Sequence, residues 1–237
     1  MSRDFKLFVI LAAAFVAAVL RLDGPGMVTQ LLLGSATAAF VCVLCRRLNV
    51  APVPVVWCVL VAMTGEAILS LGWGLYSYRH ALIPLYVPAG HALFYALAVV
   101  TARQPALQRH QTGIVRAVLA LTVAGALLSL YLYGDTWGLL WSIAVVALVA
   151  RSSHPLMLSA CVTYTVMLEW AGTLNGNWRW AADVPFTGLT AANPPSGVGL
   201  LYVLLDLVVV TIVAERRAAP VWSAVSPEAR PLTRPGT

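Results

Sequence analysis

Charge is what this chain has least of. Of its 237 residues only 10% are Asp, Glu, Lys or Arg, while 60% are hydrophobic. A soluble domain carries about 25% charged residues, so a water-facing surface cannot be assembled from this composition, and a disordered chain is excluded as well. Lysine is nearly absent: Lys6, close to the N-terminus, is the single one, which excludes a retinal Schiff base and leaves no phosphate-binding lysine. Cysteine is sparse too. Cys42, Cys45, Cys58 and Cys161 all fall in apolar stretches, so no disulfide framework is expected and the Cys42–Cys45 spacing reads as small packing residues. What remains is a polytopic membrane protein, all-α in class. The formal charge of +6 belongs to its loops, and no nucleic-acid partner is implied.

A helix needs roughly 20 apolar residues to cross the hydrocarbon core. Windows of that kind fall at 6–21, 28–45, 53–73, 84–102, 114–133, 137–150, 155–173 and 198–214, giving eight expected spans. The first lacks a small-residue cleavage site, since Val19-Leu20-Arg21-Leu22-Asp23 follows directly, and is expected to be retained. With the N-terminus inside, Arg3, Lys6, Arg46, Arg47, Arg103, Arg109, Arg116, Arg151, Arg216, Arg217, Arg230 and Arg234 share one side. Only Arg21, Arg79 and Arg179 occupy the other, an asymmetry that places both termini in the cytoplasm of, by expectation, a bacterial plasma membrane. Residues 218–237, rich in Pro, Arg, Ser and Thr, read as a disordered cytoplasmic tail.

The chain also repeats itself. Pro88-Ala-Gly90-His91-Ala-Leu93-Phe-Tyr95-Ala-Leu97 lines up without a gap on Pro195-Ser-Gly197-Val-Gly-Leu200-Leu-Tyr202-Val-Leu204, at an offset of 107. Glu66 finds Glu169 at 103 and Arg47 finds Arg151 at 104, with a looser match of Asp23 to Asp135. Two four-helix halves, 1–110 and 111–217, are therefore expected, running parallel about an axis along the membrane normal.

Ionisable groups inside spans are costly and are functional candidates by default. Four qualify: Glu66 in the third span, His91 in the fourth, Glu169 in the seventh and Asp206 in the eighth. The topology puts them in the outer half, in one expected cavity. Six of the eight tryptophans, and Tyr76, Tyr78, Tyr86, Tyr131 and Tyr133, belong to the same outer third, more than an interfacial belt with two faces accounts for. Trp73, Tyr95, Trp178, Trp180, Asn193 and Tyr202 are the expected substrate contacts. The connection 175–197 is long, aromatic and rich in turn-formers, which suggests a packed lid. The amides opening the eighth helix after Asn193-Pro194-Pro195-Ser196-Gly197 act either as a plain helix start or as an anion seat. Locally, Glu169 has Arg179 as a possible partner and Asp206 has Tyr202, while Glu66 has no cation nearby in sequence. No His-x-x-His or Glu-x-x-His spacing occurs, so neither a metal nor another cofactor is expected.

A carboxyl group enclosed by hydrocarbon holds its proton near neutral pH and can protonate an alkene, with a second carboxylate or a histidine as proton acceptor. Aromatic faces stabilise the resulting carbocation. The stretch Glu169-Trp-Ala-Gly172-Thr173-Leu-Asn-Gly176-Asn-Trp178-Arg-Trp180, followed by Val184-Pro185, resembles the E-x-x-G-T-x-x-G-x-aromatic-x-aromatic segment of the membrane carotenoid hydratase and carotenoid-biosynthesis family. It carries Trp where that segment commonly has Tyr. The pair Glu66 and Asp206 is similar to the two carboxylates of small integral-membrane terpene cyclases. These resemblances imply acid-catalysed hydration or cyclisation of an isoprenoid or other apolar lipid, with Glu169, Gly172, Thr173, Trp178 and Trp180 as family-type site residues. The same carboxylates and Pro/Gly-opened helices also fit a proton-coupled carrier or lipid transporter, and a non-catalytic membrane scaffold is the third class.

Overall fold

In the computed structural model, residues 3–218 are described, with side chains through residue 213. Helices dominate in the order α1 (Arg3–Leu22), α2 (Met27–Arg47), α3 (Pro52–Glu66), α4 (Val87–Ala102), α5 (Pro105–Arg109), α6 (Gln111–Tyr133), α7 (Thr136–Arg151), α8 (Pro155–Leu174) and α9 (Gly199–Ala218). Each expected apolar window overlaps one of these helices. Arg3–Leu22, Met27–Arg47, Pro52–Gly72 and Gln111–Tyr133 are long and apolar enough to cross a membrane, and Val87–Ala102, Thr136–Arg151 and Gly199–Val213 are shorter apolar helices. Insertion into a membrane follows. The expected tail, apart from Ala218 at the end of α9, lies outside the described residues, as do Arg230 and Arg234.

Local chemistry sets the ends. Proline opens α3, α4, α5 and α8, where the first-turn amides need no intrahelical partner. α6 stops at Gly134, whose φ of 65° is left-handed. Asp135 then caps α7 by accepting the Gly138 amide at 2.9 Å. α3 does not end at Glu66 but continues through Ala67–Gly72 with π-helical hydrogen bonding, the Trp73 amide reaching the Ile68 carbonyl at 2.7 Å.

The all-α expectation needs one correction. Residues Tyr76–Tyr78 (β1) and Trp178–Trp180 (β2) form a two-stranded antiparallel sheet with Tyr76 opposite Trp180, Ser77 opposite Arg179 and Tyr78 opposite Trp178. The long connection therefore contains a strand, and a bridge between Asp183 and Thr190 folds the remainder back on itself. The sheet draws two distant loops to one end of the bundle. The α1–α2 turn joins them through Asp23, which accepts from Asn177 Nδ2 at 3.1 Å and Gln30 Nε2 at 2.8 Å. The α6–α7 turn joins through Asp135.

Four helices make the centre. α4 packs on α2, α3 and α8, and α9 packs on α3, α7 and α8. α6 is peripheral and mostly lipid-facing, with Ala126 its one buried residue.

Asp135 is fully buried and accepts from Ser129 Oγ at 2.8 Å, the Ala192 amide at 3.1 Å and the Ser196 amide at 2.8 Å, besides its own cap. The amides ahead of α9 thus do hold an anion, and it is a side chain of this chain. Helix α9 itself starts at Gly199, later than expected, because Pro195–Val198 forms a tighter turn, with the Val198 amide on the Pro195 carbonyl at 3.2 Å. Asp135→Ala leaves several buried donors without an acceptor and should cost on the order of 3 kcal/mol. A lowered thermal unfolding midpoint in detergent would register it, and an unchanged midpoint would contradict this account.

Candidate functional site

The site begins with strand alternation. Successive strand side chains point to opposite faces, so Ser77 and Arg179 face out while Tyr76, Tyr78, Trp178 and Trp180 turn onto the helix ends. The tyrosine pair meets Glu66, the last residue of regular α3. Tyr76 Oη donates to Glu66 Oε2 at 2.8 Å and Tyr78 Oη donates to the same oxygen at 2.7 Å. The tryptophan pair meets Glu169, near the end of α8. Trp178 Nε1 donates to Glu169 Oε2 at 2.8 Å and Trp180 Nε1 to the same oxygen at 3.0 Å. Burial, together with the Glu66 charge, pushes both tyrosine hydroxyls well above the ordinary phenol range, so they stay protonated donors.

Glu66 has a third partner. His91, one turn into α4, places Nε2 2.9 Å from Glu66 Oε1. The partner missing from the local sequence arrives from 25 residues away. The imidazole is stacked on Tyr202 of α9, ring centroids 4.5 Å apart and planes 27° from parallel. Its Nδ1 is buried and has no hydrogen-bond partner among the described residues. Glu169 does not use Arg179, which is exposed on the far side of β2. Both of its bonds fall on Oε2, and its donors are neutral indoles.

These groups line one end of a cavity of about 230 Å³. Glu66, His91, Glu169, Tyr202, Trp178 and Trp180 are in its wall, as are Tyr76, Tyr78 and Tyr86. The remaining wall is almost wholly hydrocarbon, from Phe15, Val16 and Val19 of α1, Leu93 and Phe94 of α4, and Leu201, Leu204, Leu205 and Val208 of α9. Leu204 and Val208 are exposed at 42% and 44%, so the cavity meets the outside of the helix bundle and hence the lipid.

Four residues expected in this site lie elsewhere. Asp206 is buried one turn below Tyr202 and does not line the cavity. It lies beside the Cys161 thiol of α8, its Oδ2 is buried with no hydrogen-bond partner among the described residues, and Tyr202 is not its partner. Tyr95, one turn beyond His91, points to the same lower layer, beside Asp206 and Cys58. Trp73 donates its indole N–H to the Pro185 carbonyl at 3.0 Å and packs edge-on against Trp137, stitching the two long connections together. Asn193 accepts the Trp180 amide at 3.0 Å, so it supports β2 from behind. Sequence reasoning in turn gave Tyr76 and Tyr78 no individual role; their alternation with Ser77 is the strand signal that marks them.

Among the described residues no group of three or more His, Cys, Asp or Glu side chains is arranged to hold a metal ion. The arrangement is suited to moving protons: a carboxylate–imidazole pair and a second carboxylate facing hydrocarbon.

Gly172 shows how tightly this end is packed. A Cβ there would overlap the Trp178 indole. Gly172→Ala should displace that ring from Glu169 and destabilise the chain by about 1–3 kcal/mol. Near-UV circular dichroism and the unfolding midpoint check both effects, and a wild-type aromatic spectrum would refute the displacement.

No family model matches the chain, nor does any curated protein or solved structure match it.

Proposed function

We propose that this chain is an eight-span membrane enzyme built from two parallel four-helix repeats, with both termini cytoplasmic, and that its cavity catalyses proton-initiated hydration or cyclisation of an isoprenoid or similar apolar lipid. The observation that carries the chemistry is the Glu66–His91 pair, 2.9 Å apart, at the end of a hydrocarbon cavity that also holds Glu169.

The duplication is supported by the sheet. A two-fold axis through the Ser77–Arg179 pair carries Tyr76 onto Trp178 and Tyr78 onto Trp180, and the observed register obeys it. In the proposed repeat Glu66 corresponds to Glu169, α3 to α8 and α4 to α9. The packing of α4 on α8 then corresponds to that of α9 on α3.

In the reaction, a carboxylic acid, assigned to Glu169 through its free Oε1, gives its proton to one carbon of a carbon–carbon double bond. The π pair becomes the new C–H bond, and the cation left on the neighbouring carbon faces the rings of Tyr202, Trp178 and Trp180. For hydration, water adds to that carbon and the excess proton passes to His91, oriented by Glu66 as a carboxylate orients a catalytic imidazole. For cyclisation, a second double bond attacks the cation and a C–H proton leaves to the same base. The proton then returns to Glu169, so the cycle needs no oxidant. The isoprenoid class rests on the resemblance of Glu169–Trp180 to the carotenoid hydratase segment.

A carrier is less well supported. Alternating access needs carboxylates that face each end in turn, whereas Glu66 and Glu169 are each fixed at one end by two ring donors.

General acid–base groups contribute about 10²–10⁴-fold, so Glu66→Gln and His91→Ala should each reduce product by at least about a hundredfold. Mass spectrometry of lipid extracts reads this as loss of a species heavier by one water, or of an isomer with shifted retention. Lipid profiles identical to wild type in both variants would end the acid–base reading. The topology has its own check. In intact cells a membrane-impermeant maleimide should label cysteines placed at Ser77 and Asp183, and those at Arg103 and Ser153 only after permeabilisation; the reverse pattern would invert the chain.

A further inference from the structure

Each member of the Glu66–His91 pair is preceded by a glycine in its helix, Gly65 in α3 and Gly90 in α4. Glycine weakens a helix interior, so two of them in adjacent helix walls need a reason. Tight packing does not supply it. A Cβ at Gly65 or at Gly90 would meet nothing within 4 Å among the described residues, whereas one at Gly138, Gly172 or Gly197 would collide with its neighbours. Both glycines line the cavity. The bare backbone therefore faces open space directly over the carboxylate–imidazole bond. His91 lines the same cavity and is only 9% exposed.

The shape of the cavity gives the ligand its direction. Along α9 the wall runs from Leu201 to Val208, a rise of about 10 Å along the helix. The pair and Glu169 sit at the end nearest the sheet. The exposed residues Leu204 and Val208 share the cavity wall with Val16 of α1 and the half-buried Gly65, and they mark the mouth. An apolar chain entering there runs parallel to the helices and ends at the acids.

The geometry points to Gly65 and Gly90 as the size-selecting positions of a lateral slot that takes an unsaturated hydrocarbon chain from the bilayer, its terminal branched unit packed on both glycines over the Glu66–His91 bond. This rests on the proposed chemistry for the identity of the chain, but occupancy is measured apart from turnover.

The probe is a farnesol carrying a photoactivatable diazirine at its hydrocarbon end, added to the full chain in phosphatidylcholine vesicles, with labelled residues mapped by mass spectrometry. Labels are expected within 61–69, 86–94 and 201–208. Gly65→Leu and Gly90→Leu should each cut labelling there at least tenfold, and the corresponding alanine variants by a smaller factor. Gly113→Leu, where a Cβ also meets nothing within 4 Å but which lies outside the cavity wall, should leave labelling unchanged. Should either leucine variant lose its helical circular dichroism, the alanine variants decide the question in its place. The proposal is overturned if the wild-type cavity is not labelled, if labels fall on the lipid face of α6 alone, or if labelling is indifferent to the glycine substitutions. Slot labelling that responds to the glycines, combined with unchanged cellular lipids in Glu66→Gln, would sustain the slot and remove the proposed chemistry.

Discussion

Four ring donors on two carboxylate oxygens hold the site together. A two-stranded sheet of three residues per strand has no independent stability in water. A carboxylate at the end of an apolar helix is equally untenable alone, because burying it without partners costs several kcal/mol. Each defect is the remedy for the other. Glu66 and Glu169 give the sheet its anchorage through Tyr76, Tyr78, Trp178 and Trp180, and the sheet gives the acids their donors. Outward-facing Ser77 and Arg179 complete the alternation. Arg79 then fastens the following turn by donating to the Gly176 and Asn175 carbonyls. Because one strand follows α3 and the other follows α8, this contact also fixes how two central helices end relative to each other.

The same construction occurs twice, but its chemistry differs between the occurrences. Phenols donate to one carboxylate and indoles to the other. Only Glu66 has an imidazole, since the alignment that equates Gly90 with Gly197 sets Val198 opposite His91. Two carboxylates, each held by a pair of ring donors, thus have different surroundings, which is the condition for one to give a proton and the other to help receive it. The glycines diverge in parallel. Gly197 is packed against the Gly138 carbonyl and the Ser142 amide of α7, while Gly90 faces the cavity. Under the proposed duplication, one half kept a glycine for close helix approach and the other for open space.

Hydropathy located every long helix because that signal is an average over some 20 residues and survives any local exception. The buried polar groups are legible for the complementary reason: in so apolar a chain each ionisable side chain stands out. Short features were not accessible in this way. The sheet spans three residues on each side, and its sequences, Tyr-Ser-Tyr and Trp-Arg-Trp, look like interfacial aromatics until their period of two is weighed. The role of Asp135 as an anchor for the amides ahead of α9 was likewise invisible, since its partners lie up to 61 residues away.

The two misplaced helix residues, Asp206 and Tyr95, share one cause. Position along a sequence gives the depth of a side chain in the membrane, but the direction it faces depends on which neighbour covers each side of the helix. Asp206 follows Tyr202 by one turn and Tyr95 follows His91 by one turn, so all four were expected around one cavity. One turn is enough to drop below the layer formed by the stacked His91 and Tyr202 rings, into a separate region where Asp206 meets Cys161 and lies near Cys58 and Tyr95. A buried acid in a membrane helix is therefore a reason to ask what it touches, and here its neighbours come from the three other central helices rather than from the cavity wall. Glu66 and Glu169 belong to the site because the sheet reaches them. Asp206 lies beyond the reach of that sheet.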